Sequence, residues 1–181
     1  MQMTPMTQKS IIILLCLVTF TFSNVIAQNN KVSANAEISN KFLNASRKYL
    51  DGDFANAIPL YKEVLKHDSL LKKEYWYVLI DNLGMSYGMT GDLKSAEKIF
   101  KYGLSKDSIY PLFYYNLACT YAGKNDLSLC LFYLKSAYKY KNNMMPEESF
   151  PDPAEDDSFK IFMNNKKFIT TLNELKKGNF K

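Results

Sequence analysis

The chain has 181 residues, enough for one compact domain of ordinary size, and carries a formal net charge of +5 with 47% hydrophobic residues. The positive excess is spread along the chain rather than gathered into a block, which argues against nucleic acid as a partner and only weakly for an anionic one. The single histidine, His67, and the two cysteines that remain if an N-terminal leader holding Cys16 is removed are too few for a zinc site, and a serine or cysteine nucleophile with a histidine base would have to use His67.

At the N-terminus, Lys9 precedes an apolar run from Ile11 to Val18, then a less apolar stretch to Phe22 and the small-residue site Val25-Ile26-Ala27. Residues 1–27 read as a secretory signal peptide, cleaved after Ala27. An uncleaved anchor helix is the alternative, but Thr19, Thr21, Ser23 and Asn24 interrupt the run before it reaches the length a bilayer requires. Cys16 lies inside the apolar run with no small-residue box just before it, so it does not read as a lipid-attachment site. Cleavage removes Lys9 and lowers the charge from +5 to +4. The expected destination lies across the inner membrane, in the periplasm or at the outer envelope, with no stable membrane span after cleavage. Residues 28–37 are polar and read as a flexible leader.

From residue 38 onward the apolar pattern has a helical period. In the central stretch, 77–110, Ile80, Leu83, Gly84 and Tyr87 share one helix face, and Leu93, Ala96, Phe100, Gly103 and Leu104 share another. Between them stands Thr90-Gly91-Asp92: glycine can take the left-handed conformation that ends a helix, and aspartate can cap the next. Gly84 and Ala96 are small, as two antiparallel helices joined by so short a turn require where they approach.

The flanking stretches, 38–71 and 111–143, vary this theme. Upstream, Ala45, Tyr49, Gly52-Asp53-Phe54, Ala57 and Tyr61 reproduce the turn and second helix, while Lys41, Asn44 and Lys48 weaken the first, as an end position tolerates. Pro59 predicts a late helix start or a slight kink. Downstream, Pro111 suits the first position of a helix, Asn125 replaces the turn glycine, and Cys130 replaces the small alanine. Gly52 to Gly91 is 39 residues and Gly91 to Asn125 is 34. The extra residues, around Leu71 to Trp76, predict a lengthened first helix in the central pair, with Trp76 in a core or inter-helix contact.

Residues 144–157, MMPEESFPDPAEDD, hold three prolines and six carboxylates and read as a solvated, extended linker. Beyond it, Phe159, Phe162 and Met163, then Phe168, Ile169, Leu172 and Leu175, predict two further helical stretches within 158–181.

The central pattern Ile80-x2-Leu83-Gly84-x2-Tyr87 with Ala96-x3-Phe100 resembles the tetratricopeptide (TPR) repeat, whose closing proline is replaced here by Ser108. Asp156-Asp157-Ser158-Phe159 with Asn165-Lys166-Lys167-Phe168 is similar to the closing segment of such arrays. The resemblance implies an all-α fold: a TPR α-solenoid of three helix-turn-helix repeats closed by C-terminal capping helices. It also implies a concave groove, formed by the first helix of each repeat, that holds a protein or peptide partner.

Carried onto this chain, the groove would present Phe42, Ser46, Tyr49, Asp81, Asn82, Met85, Met89, Tyr115, Asn116 and Cys119, with Asn82 and Asn116 as hydrogen-bonding rungs. Several of these, Phe42 and Tyr115 above all, fit equally well as packing against a neighbouring repeat or the closing helices. The lysine-rich clamp that some members use for a C-terminal carboxylate is not reproduced. Cys130 takes the small-residue contact point, whereas Cys119 is turned about 100° from Ala118 toward the groove, so free thiols are expected rather than a disulfide.

No phosphate-cradling loop or nucleophile motif occurs, and no cofactor or catalytic residue is expected. The function expected is a non-catalytic interaction scaffold of the cell envelope. The alternative is a self-capped structural or membrane-peripheral subunit whose groove is filled by residues 144–181.

Overall fold

The computed structural model describes residues 33 and 35–178. The expected signal peptide and most of the leader lie outside the described residues. The chain divides into two units, residues 1–40 and 41–181. Of the first, the described residues are helical.

The regular structure of the second unit is all helical, with no strand among the described residues. Its α-helices are α1 (41–50), α2 (Phe54–Leu65), α3 (Lys73–Met89), α4 (Leu93–Lys106), α5 (Pro111–Gly123), α6 (Leu127–Tyr140) and α7 (Lys166–Lys176). Three short 3-10 segments, Asp68–Leu70, Lys141–Asn143 and Asp157–Phe162, lie between them.

The pairs α1/α2, α3/α4 and α5/α6 turn on the same backbone device. In each turn one residue is left-handed: Gly52, Gly91 and Asn125, with φ of 75°, 84° and 57°. The next amide reaches back over the helix end, Asp53 to Lys48, Asp92 to Tyr87 and Asp126 to Tyr121, each N–H donating to the carbonyl. The following helix begins on that aspartate. Asp92 accepts from the Ser95 amide and Asp126 from the Leu129 amide, capping the exposed N-terminal donors.

The helices of a pair run antiparallel and close together. A Cβ added to Gly84 would stand 2.4 Å from the Phe100 ring, and one on Gly103 would stand 2.7 Å from Phe113. Glycine at both positions lets α3 approach α4 and α4 approach α5 with an aromatic ring pressed on bare backbone. Successive first helices instead run parallel, at a nearly constant sequence offset. Tyr49 of α1 meets Met85 of α3 across 36 residues, and Asn116 of α5 meets Asp81 of α3 across 35. The architecture is therefore repeat-like and helical.

One continuous apolar core runs from Tyr77 and Ile80 through Phe100, Phe113, Leu117 and Leu134 to Phe159, Phe168 and Leu175. Trp76, half-buried, packs against it, its ring against those of Tyr77, Tyr102 and Phe113, its Nε1 donating to Asp68 at 3.2 Å. Tyr102 also donates to that carboxylate. These bonds pin the 3-10 turn, so the lengthened start of α3 begins only at Lys73, after an extended Leu71 and Lys72. At 17 residues α3 is still longer than the 13-residue α5. Pro59 neither delays nor ends α2, which starts at Phe54 and runs through it.

Residues 144–157 contain no regular helix, as their prolines dictate, but they are not a solvated linker. Pro153 is buried, Phe150 packs edge-on against Tyr115 and Tyr138, and Glu148 accepts from Tyr110 at 2.9 Å. The strap continues into the Asp157–Phe162 turn and α7, where Phe159 stacks on Phe168 beneath α5 and α6.

Candidate functional site

The exposed part of the predicted groove narrows to a cavity of about 380 Å³ between α3 and α5. Gly84, Met85, Gly88 and Met89 form the α3 side; Asn116, Cys119, Thr120 and Gly123 form the α5 side. Leu93 and Phe100 of α4 complete the apolar lining, and the Asp156–Ser158 end of the strap closes one edge.

The sequence places these groups by simple helical spacing. Gly84 and Gly88 are one turn apart, as are Met85 and Met89 and also Asn116 and Thr120, so each pair shares a face. Met89 is 64% exposed and Met85 37%, which makes them the accessible apolar groups of the site.

Of the residues assigned to the groove, Met85, Met89, Asn116 and Cys119 line this cavity together. The others are taken up within the fold. Phe42 is buried, edge-on to Tyr61 and Tyr75. Tyr115 is buried beneath Phe150 and Phe159, its hydroxyl donating to Asp156 at 2.8 Å. Tyr49 meets Phe54 ring to ring and donates to the Met85 sulfur at 3.3 Å.

Asn82 is not a free rung. Its amide donates to the Tyr61 hydroxyl at 2.8 Å, and Tyr61 donates in turn to Ser46 at 3.2 Å, tying α1, α2 and α3 together. The Asn116 amide likewise donates to Asp81 at 2.5 Å. Burial, and then the charge of Glu148, push the Asp81 carboxyl up to about 7, against the lowering effect of the Asn116 bond. Asp81 is thus a polar rivet between α3 and α5.

Cys119 and Cys130 are both free thiols. Burial, and then the nearby Asp156 carboxylate, push the Cys119 thiol well up, so it stays protonated and weakly nucleophilic. His67 is exposed and is not among the cavity's lining residues. Among the described residues no group of three or more His, Cys, Asp or Glu side chains is placed to hold a metal ion. What the arrangement offers is adhesion: a small apolar pocket with a polar, partly acidic edge.

Sequence reasoning did not assign Gly88, Leu93, Thr120 or Gly123 to the site, and reached the Asp156–Ser158 edge only through the alternative in which residues 144–181 fill the groove. For Gly88 a signal existed, a second mid-helix glycine one turn after Gly84. For the strap no local signal fixes which of its residues meet the cleft, because nothing in a non-helical segment says where each residue lies. Among the described residues no helix is long and apolar enough to cross a membrane. No protein-family model, no curated protein and no solved structure matches this chain.

Proposed function

We propose that the chain is a secreted tetratricopeptide-type scaffold of the cell envelope, non-catalytic, which holds a segment of a partner protein in the cleft between α3 and α5. The observation that carries this reading is the cavity flanked by Met85 and Met89, two exposed, flexible thioethers one helical turn apart. The three identical turns and the 35- to 36-residue offset between first helices support the repeat assignment. The protonated state of Cys119 supports a binding role over a chemical one.

The test is site-specific photo-crosslinking. A photoreactive amino acid at Met89 should trap a discrete partner in intact cells, and Met85→Asp with Met89→Asp should abolish capture while the thermal melt stays within a few degrees. Capture that survives the double substitution sinks the cleft assignment.

A second reading has its own support. Glu148 lies on Tyr110, the residue before α5, and Phe150, Asp156 and Phe159 lie on Tyr115 and Cys119, α5 residues one turn apart. Packing of residues 144–162 against that side of α5 supports a self-capped assembly subunit. In that case crosslinks from Met89 return to the chain's own strap rather than to a partner.

A further inference from the structure

Gly88 has no packing reason to be glycine. The Gly84 and Gly103 positions are filled by the rings of Phe100 and Phe113, but a Cβ on Gly88 would meet nothing within 4 Å. A glycine in the middle of α3 weakens that helix, and here no neighbour in the fold gains from it. Its missing side chain instead keeps the cavity wall bare between Met85 and Met89.

The opposite edge has a definite charge. Among the described lining residues there are two carboxylates, Asp156 and Asp157, and no cationic side chain. Asp156 accepts from Tyr115 and from the Ser158 amide, and is held in place as part of the wall. The Asp157 side chain is 83% exposed and contacts Lys160 at 2.8 Å, an exposed pair that a competing cation can open. An acidic edge runs against the +5 charge of the chain as a whole.

From these we propose that the occupant of the cleft is a partner peptide that inserts one large apolar side chain against Gly88 and places a lysine or arginine beside it on Asp157 and Asp156. The inference rests on the scaffold reading above and adds the chemistry of the partner. The bare helix wall admits the apolar group to close approach, and Met85 and Met89 fold over it. The carboxylates select the neighbouring cation and, by repulsion, reject an acidic segment.

The experiment uses a random dodecapeptide display library as probe, selected in parallel on the immobilised full chain, on Gly88→Leu and on Asp157→Lys. Gly88→Leu fills the pocket from the inside, and its thermal midpoint should equal or exceed that of the parent. Peptides enriched on the parent should carry an aromatic or aliphatic residue next to Lys or Arg. Their affinity by fluorescence anisotropy should fall about tenfold or more on Gly88→Leu and on the order of threefold on Asp157→Lys. Loss of the basic preference on Asp157→Lys supports the charge assignment independently of how Gly88→Leu folds. Peptides that respond to Gly88→Leu but are acidic or uncharged overturn the basic-partner inference and leave the scaffold reading standing. Enrichment indifferent to both substitutions, or none, overturns both.

Discussion

Gly84 and Gly88 differ by one helical turn and do opposite things. The Phe100 ring occupies the space a Gly84 side chain would need, so Gly84→Ala should cost about 1–3 kcal/mol, read as a lower denaturation midpoint at unchanged slope. Gly88→Ala meets open space and should be neutral or stabilising by up to about 1 kcal/mol in the same assay. The repeat pattern makes the smallness of Gly84 legible in sequence, because two antiparallel helices joined by a short turn demand it where they approach. The emptiness beside Gly88 depends on what Met89, Leu93 and the strap leave unfilled, and no local pattern encodes that.

Asp81 adds a pH dependence at the same scale. Its carboxyl, ordinarily near 3.8, is held at about 7 by burial and by Glu148. The folded chain therefore keeps a proton that the unfolded chain has released, and stability is lost as pH rises from about 4 through 7. Asp81→Asn should remove that slope and raise stability at pH 8 by about 1–3 kcal/mol, because an asparagine oxygen can still accept from Asn116. Chemical denaturation at pH 5 and pH 8 measures it; an unchanged slope in the variant would show that Asp81 is ionised in the fold.

At the scale of elements, the helices and their turns were readable because each is specified locally. Apolar spacing sets α3 to α6, Gly91 and Asn125 set the left-handed turns, and Asp92 and Asp126 set the caps. The strap was misread as solvated for an equally physical reason. Its prolines and carboxylates forbid a helix, yet Glu148 and Asp156 find their partners in Tyr110 and Tyr115, 38 and 41 residues away. Composition reports what a segment cannot form, and long-range bonds decide where it goes. Phe159, fully buried against Tyr115 and Phe168, is the strap's anchor. Phe159→Ala should cost about 3–5 kcal/mol. That loss should appear first as rapid hydrogen exchange across residues 145–175, with the amides of α3 and α4 still protected. Simultaneous loss of protection everywhere would mean that strap and helices fold as one unit.

For the whole molecule, the all-helical character of the described residues followed from the sequence. The identity of the open cleft did not, since it is what remains after Phe42, Tyr115 and Asn82 have been consumed by contacts inside the fold. A ranking of groove residues by helix face alone cannot separate those that hold the array together from those that face outward. Under the proposed scaffold reading, the first group sets the spacing of α1, α3 and α5, and the second, Met85, Met89 and the Asp156–Asp157 edge, sets what is held.

Trp76 gives this arrangement an optical handle. It is the one indole in a chain of 13 tyrosines, and its ring touches two of them, one on its own helix and one on α4, while also meeting Phe113 of α5. Excitation absorbed by Tyr77 and Tyr102 should pass to it over a single ring contact, and its emission should change when α3, α4 and α5 part or when the Asp68 turn that accepts from its Nε1 is released. The native fluorophore therefore reports on the junction of α3, α4 and α5 with the Asp68 turn, which neither a departing strap nor a fraying α1 contacts directly.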